Sequence, residues 1–174
     1  MASMDVIRVN RAPVLTLWAS IVAERLGYPT ATALTLGRAV AGYSAQAKAR
    51  RLGRVEEREE KEELERPQAP RETVLVLGRR IPVLATEGGE IRAEDHGKPG
   101  SQRSTLSYIR RAFGDNLDAV RAAMEALAAS YPPDELNRIG FHLYERFRPE
   151  VPDDVSGWGA KAELKLERIR NARI

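Results

Sequence analysis

Between Glu56 and Arg66 the chain reads EEREEKEELER, and only Leu64 of that run is apolar. Such a segment has nothing to bury, so no packed core can pass through it. Pro67 and Pro70 follow at once and forbid one continuous helix across the boundary. The fold must therefore be assembled from the flanks. Residues 1–55 read as a helical hairpin, 56–72 as a charged linker, and 73–174 as a small sheet plus C-terminal helices, which can pack with 1–55 as one domain.

The N-terminal flank has helical periodicity after a lead-in over residues 1–11. Val14, Leu17, Trp18 and Ile21 share one face, and Leu15, Val22 and Leu26 fill the other, with Pro13 in the first turn. A helix apolar nearly all round is one that is buried. Gly27 ends it and Tyr28-Pro29 turns the chain. Thr30 then serves as the N-cap of a second helix running to about Leu52. Its stripe is Leu36, Val40, Tyr43 and Ala47, set among alanines and glycines that let another helix approach closely.

After the linker the period changes. Thr73–Gly78 is short, apolar and β-branched, and reads as a strand. Ile81–Thr86 pairs with it across Arg79-Arg80, and Pro82 places that second strand at an edge. Gly88-Gly89 turns into Ile91–Ala93, giving an antiparallel sheet of two to three strands. Residues 95–103 read as a loop. Ser104 caps a helix to Phe113, and Asp115 caps another carrying Leu117, Val120, Met124 and Leu127. Pro132-Pro133-Asp134-Glu135 opens a third, with Leu136, Ile139, Leu143 and Phe147 in line. The predicted class is α+β, predominantly helical, with a C-terminal helical bundle.

The last stretch, SGWGAKAELKL from Ser156, sets Trp158 between two glycines. Trp158, Ala160, Ala162, Leu164 and Leu166 alternate as a strand would, but Ala, Lys, Glu and Leu are good helix formers. The residue types predict a helix over 160–171, with Trp158 folded back on its first turns as a hydrophobic staple. Lys161 opposes the helix dipole there and is left without a packing role.

Composition removes several classes of chemistry. The chain has no cysteine, which excludes disulfides, thiolate metal sites and cysteine nucleophiles. The apolar run Ala12–Ala23 is shorter than the roughly 20 residues that a membrane helix needs. AERLG continues the helical pattern where a secretion signal would place a small-residue cleavage site, so a cytoplasmic protein is expected. Of the two histidines, His96 follows Glu94-Asp95 in a loop whose neighbouring side chains diverge. His142 lies beside a helix stripe, where a hydrogen-bonded structural role is expected. No metal, cofactor or catalytic signature emerges.

Two patterns point to binding. The first is AERLGYPTATALTLG, in which Ala23, Leu26 and Gly27 have the spacing of a helix-turn-helix. Its second helix would offer Thr30, Thr32, Thr35 and Arg38 to duplex DNA. KARRLGR beyond it adds Lys48, Arg50, Arg51 and Arg54 for phosphates, although seven nearby glutamates oppose that attraction. The second pattern is HGKPGSQRS, where Lys98, Arg103 and Ser104 open a helix bearing Arg110, an arrangement suited to an anion. Three functions follow: a non-catalytic DNA-binding or regulatory protein, a homo-oligomeric interaction or assembly protein, and an enzyme or anion-binding protein built on the Lys98–Arg103 loop.

Overall fold

The computed structural model of the chain describes residues 6–51, 72–152 and 162–174, and for 46–51 the backbone alone. The segment that is apolar all round forms helix α1, Arg11–Arg25, and every residue from Pro13 to Ala23 is buried. Helix α2, Thr30–Arg51, doubles back on α1 after Gly27, whose φ of 104° only glycine adopts freely. The crossing is close because Gly37 has no side chain. A β-carbon there would overlap Ser20 Oγ and the Thr16 carbonyl. Ser20 donates to Thr16 O at 2.7 Å and Thr16 to Ala12 O at 2.8 Å, so the hydroxyls in the crossing are satisfied within α1. Ala33 and Ala41 are buried as well. Much of the small-residue surface of α2 is thus used inside the chain.

Four strands follow, where two or three are predicted: β2 (Thr73–Val76), β3 (Arg79–Ala85), β4 (Ile91–Asp95) and β5 (Lys98–Pro99). They form an antiparallel meander in the order β2-β3-β4-β5. One face, with Val76, Ile81, Val83 and Ala93, is buried. The first turn is Leu77-Gly78 and not Arg79-Arg80, which belong to β3. Pro82 is on an inner strand, contrary to the edge position its missing N–H suggests. Val83 donates toward β2, to Glu72 O at 3.0 Å, so the Pro82 nitrogen faces the β4 side. Pairing on that side begins only at Val83, opposite Ala93, and no ladder bond is lost.

The expected loop at 95–103 is instead the β4–β5 hairpin, turned at His96-Gly97. Helix α3, Gln102–Phe113, is capped by Ser101, whose Oγ accepts from Ser104 N at 3.1 Å, and not by Ser104. A 3₁₀ turn at Gly114–Asn116 leads to α4, Leu117–Ala129, whose N-cap position is held by Asn116 and not Asp115. Helix α5, Pro133–Phe147, begins at the predicted prolines. Its residues Leu136, Leu143 and Phe147 are fully buried.

Two elements were not legible. Val6–Arg8 forms strand β1, and Glu163–Lys165 forms β6, paired antiparallel with Ile7 opposite Leu164. Only Leu166–Arg170 remains as the terminal helix α6. The alternation through Leu164 therefore prevails over helix propensity, because β1 supplies a partner. Trp158, Gly157, Gly159 and Lys161 lie outside the described residues, so their predicted staple does too.

Around Trp18 the halves of the chain meet. Its ring is fully buried, edge-on to Phe147 at 5.4 Å, and its Nε1–H donates to Gly140 O at 2.9 Å. Burying an indole of this kind contributes on the order of 5 kcal/mol. Gly140 makes room for the Leu77 side chain, which occupies the place a β-carbon would take. The α+β class and helical predominance agree with the sequence pattern.

Candidate functional site

Helix α3 carries three arginines and no acidic residue. Thr105, Ile109 and Phe113 are its buried line at i, i+4 and i+8. The opposite face consists of Arg103, Ser104, Ser107, Arg110 and Arg111, all exposed. Arg103 and Arg110 are seven residues apart, so they stand on the same side about 10 Å apart along the axis. Among the described residues, no carboxylate lies within ion-pair distance of Arg103, Arg110 or Arg111.

Arg38 extends this face from α2. Its guanidinium lies over the Tyr108 ring, 4.1 Å from the centroid. Such a stack is worth about 0.5–1 kcal/mol at an exposed site and restricts an otherwise free side chain. Burial pushes the Tyr108 phenol above its ordinary pKa, and the Arg38 charge opposes that shift. Lys98 is exposed on β5 at the approach to α3, and Gly100 behind it donates to Ala93 O at 2.7 Å. The structure thus places Lys98, Arg103 and Ser104 at the mouth of α3 and Arg110 two turns along. The Ser104 N–H is already used by Ser101, which removes one backbone donor from any anion at that terminus.

The helix-turn-helix residues fare differently. Thr30 is exposed, but Thr32 and Thr35 are buried, 1% and 3% exposed. Thr32 donates to Ile91 O, while Thr35 accepts from Ala93 N at 3.0 Å and donates to Thr32 O at 2.8 Å. The two threonines fasten α2 to β4 and cannot touch a groove. The reading of them as DNA contacts is corrected on that ground. A helix packed by α1 on one side and a sheet on another has no open recognition face in its first turns. Lys48, Arg50 and Arg51 belong to the last turns of α2, but their side chains lie outside the description, as does Arg54 altogether.

Each histidine lies beside a carboxylate on its own element or turn. His96 is 97% exposed at a turn, 3.7 Å from Asp95. His142, for which a hydrogen-bonded structural role is expected, is also exposed and lies 4.0 Å from Glu145 Oε1 on the same helix. Among the described residues no group of three histidines or carboxylates is placed to hold a metal ion, and no helix is long and apolar enough to cross a membrane.

Two polar clusters escaped the sequence reading because their members are far apart in the chain. Arg121 on α4 bridges Glu24 on α1 (3.3 Å) and Glu125 (3.1 Å), and burial raises the Glu24 pKa against the attraction of Arg121. Tyr144 on α5 meets Arg11 on α1, and burial raises its phenol to about 12 despite the nearby Arg11 and Arg148 charges. In comparisons with family models, curated proteins and solved structures, no match to this chain was found.

Proposed function

We propose that this protein is a non-catalytic nucleic-acid-binding protein that meets the phosphate backbone through the outer face of α3 and the adjoining Arg38. One observation carries the reading: α3 turns Arg103, Arg110 and Arg111 to solvent together, with Ser104 and Ser107 between them and no acid on the helix. Guanidiniums grip phosphate oxygens in forked geometry, and serine hydroxyls add neutral donors. Cations left without internal partners are available to displace condensed counterions, which is the source of non-specific affinity. This mode requires no helix in the major groove. It therefore agrees with the burial of Thr32 and Thr35, which rules those residues out as base contacts.

Fluorescence anisotropy with duplex DNA over a range of salt concentrations tests the reading. Affinity should fall steeply with salt, and each of Arg103→Gln, Arg110→Gln and Arg111→Gln should make the log–log slope shallower by about one. No binding at low salt overturns the proposal. So does an unchanged slope in the Arg110→Gln/Arg111→Gln double variant.

A further inference from the structure

The Arg38–Tyr108 pair stands at the border of the α3 face. Along α3, Ser104, Tyr108 and Arg111 follow one another at i, i+4 and i+7, so the ring lies within one turn of a serine and an exposed arginine. Tyr108 packs half-buried against the core, whereas Arg38 is exposed. The guanidinium is therefore covered by the ring on one side, 4.1 Å from its centroid, and open to solvent on the other. Among the described residues no carboxylate lies within ion-pair distance of Arg38, so the ring is the partner that positions it.

Both members of the pair are anchored from behind. Gly37 is pressed against Ser20 of α1, and Thr35 accepts from Ala93 N at 3.0 Å, so the α2 backbone carrying Arg38 is fixed on two sides. Ile109, next to Tyr108, is 1% exposed and fixes the backbone behind the ring. A planar cation laid on an aromatic ring and fastened to packed helices offers a stacking surface to another flat π-system. Phosphate needs no such plane, because charge and forked donors recognise it, and Arg103, Arg110 and Arg111 supply both.

Base faces separate one form of nucleic acid from another. In a duplex every base is stacked between its neighbours, and a helix lying along the backbone meets phosphate and sugar. In a single strand the bases splay out and stack on aromatic rings or guanidinium planes. We propose that Arg38 and Tyr108 stack an unpaired base while the α3 arginines hold the flanking phosphates, which makes single-stranded nucleic acid the preferred ligand. This assignment rests on the α3 face being the phosphate-binding surface, and it names the class of nucleic acid which that face takes.

Fluorescence anisotropy of the full chain with three probes of equal length, at equal salt, is the test. The probes are oligothymidine, its duplex with oligoadenine, and an abasic strand that keeps the phosphates but carries no bases. Oligothymidine should bind about tenfold tighter than either of the others. Arg38→Lys, which keeps the charge and loses the plane, should cut that preference to about threefold or less. Tyr108→Leu should do the same, and Tyr108→Phe should retain the preference. The Arg110→Gln/Arg111→Gln variant should weaken all three probes and keep their ratio. Salt-dependent duplex binding with no preference for the single strand overturns the stacking site and leaves the phosphate face standing. An abasic strand bound as tightly as oligothymidine, or an undiminished preference in folded Arg38→Lys, overturns the stacking site as well. No binding of any probe overturns both readings.

Discussion

Leu77-Gly78 and His96-Gly97 are the same backbone turn in two settings. Both pairs have positive φ, 51° and 78° in the first and 51° and 83° in the second, and both join adjacent antiparallel strands. That geometry matches the twist of a two-residue hairpin. At position 96 the side chain is 97% exposed, and histidine is among the residues that tolerate the left-handed region. At position 77 a bulky aliphatic occupies it, at a cost of about 1–2 kcal/mol. There the surroundings impose the conformation. Asn137 Oδ1 accepts from Leu77 N at 2.7 Å, Asn137 Nδ2 donates to Leu75 O at 2.9 Å, and the leucine side chain packs over Gly140. One turn is a local choice, and the other is dictated by a helix some 60 residues away in sequence.

Four substitutions, followed by urea unfolding, probe that contrast. Leu77→Ala should cost about 3 kcal/mol, because it empties a buried site and keeps the strained φ. Leu77→Gly removes more atoms yet should cost about 1 kcal/mol less than Leu77→Ala, since glycine has no penalty at positive φ. If glycine is the worse of the two, the strain argument is wrong. Asn137→Ala should cost about 1 kcal/mol by leaving Leu77 N–H and Leu75 O without their partner, and a neutral result would detach the turn from α5. His96→Asn should change stability by less than about 0.5 kcal/mol, and a loss like that at Leu77 would mean that the exposed turn is also held from outside.

The same contrast explains what could be read in advance. The helices were legible where the apolar spacing is long and regular, as in Val14–Ile21 and Leu136–Phe147, and where prolines mark their starts. Leu-Gly lacks the sequence signature of a hairpin turn, so Leu77 read as part of a strand; only Asn137 and Gly140 make it a turn. Thr32 and Thr35 looked like surface hydroxyls, since nothing local says that β4 will cover them. A helix pattern holding threonines next to Leu34 and Leu36 was the available signal of an inward face. Arg103 and Arg110 could be paired by helical spacing alone. Arg11 and Tyr144 could not, because the contact joining them spans most of the chain.

The pairing of β1 with β6 sets a timetable for the nascent chain. Ile7 waits for Leu164, its partner across the strand pair. At about 5–20 residues added per second, that wait on the ribosome is on the order of ten to thirty seconds. Throughout it, Ile7 and Val9, both buried at the end, lack the cover that the last strand provides. Closure of this small sheet therefore comes only after the helices between its two strands have been made. A ribosome stalled before residue 163 would present an apolar strand with an open edge to whatever chaperone or neighbouring chain is closest.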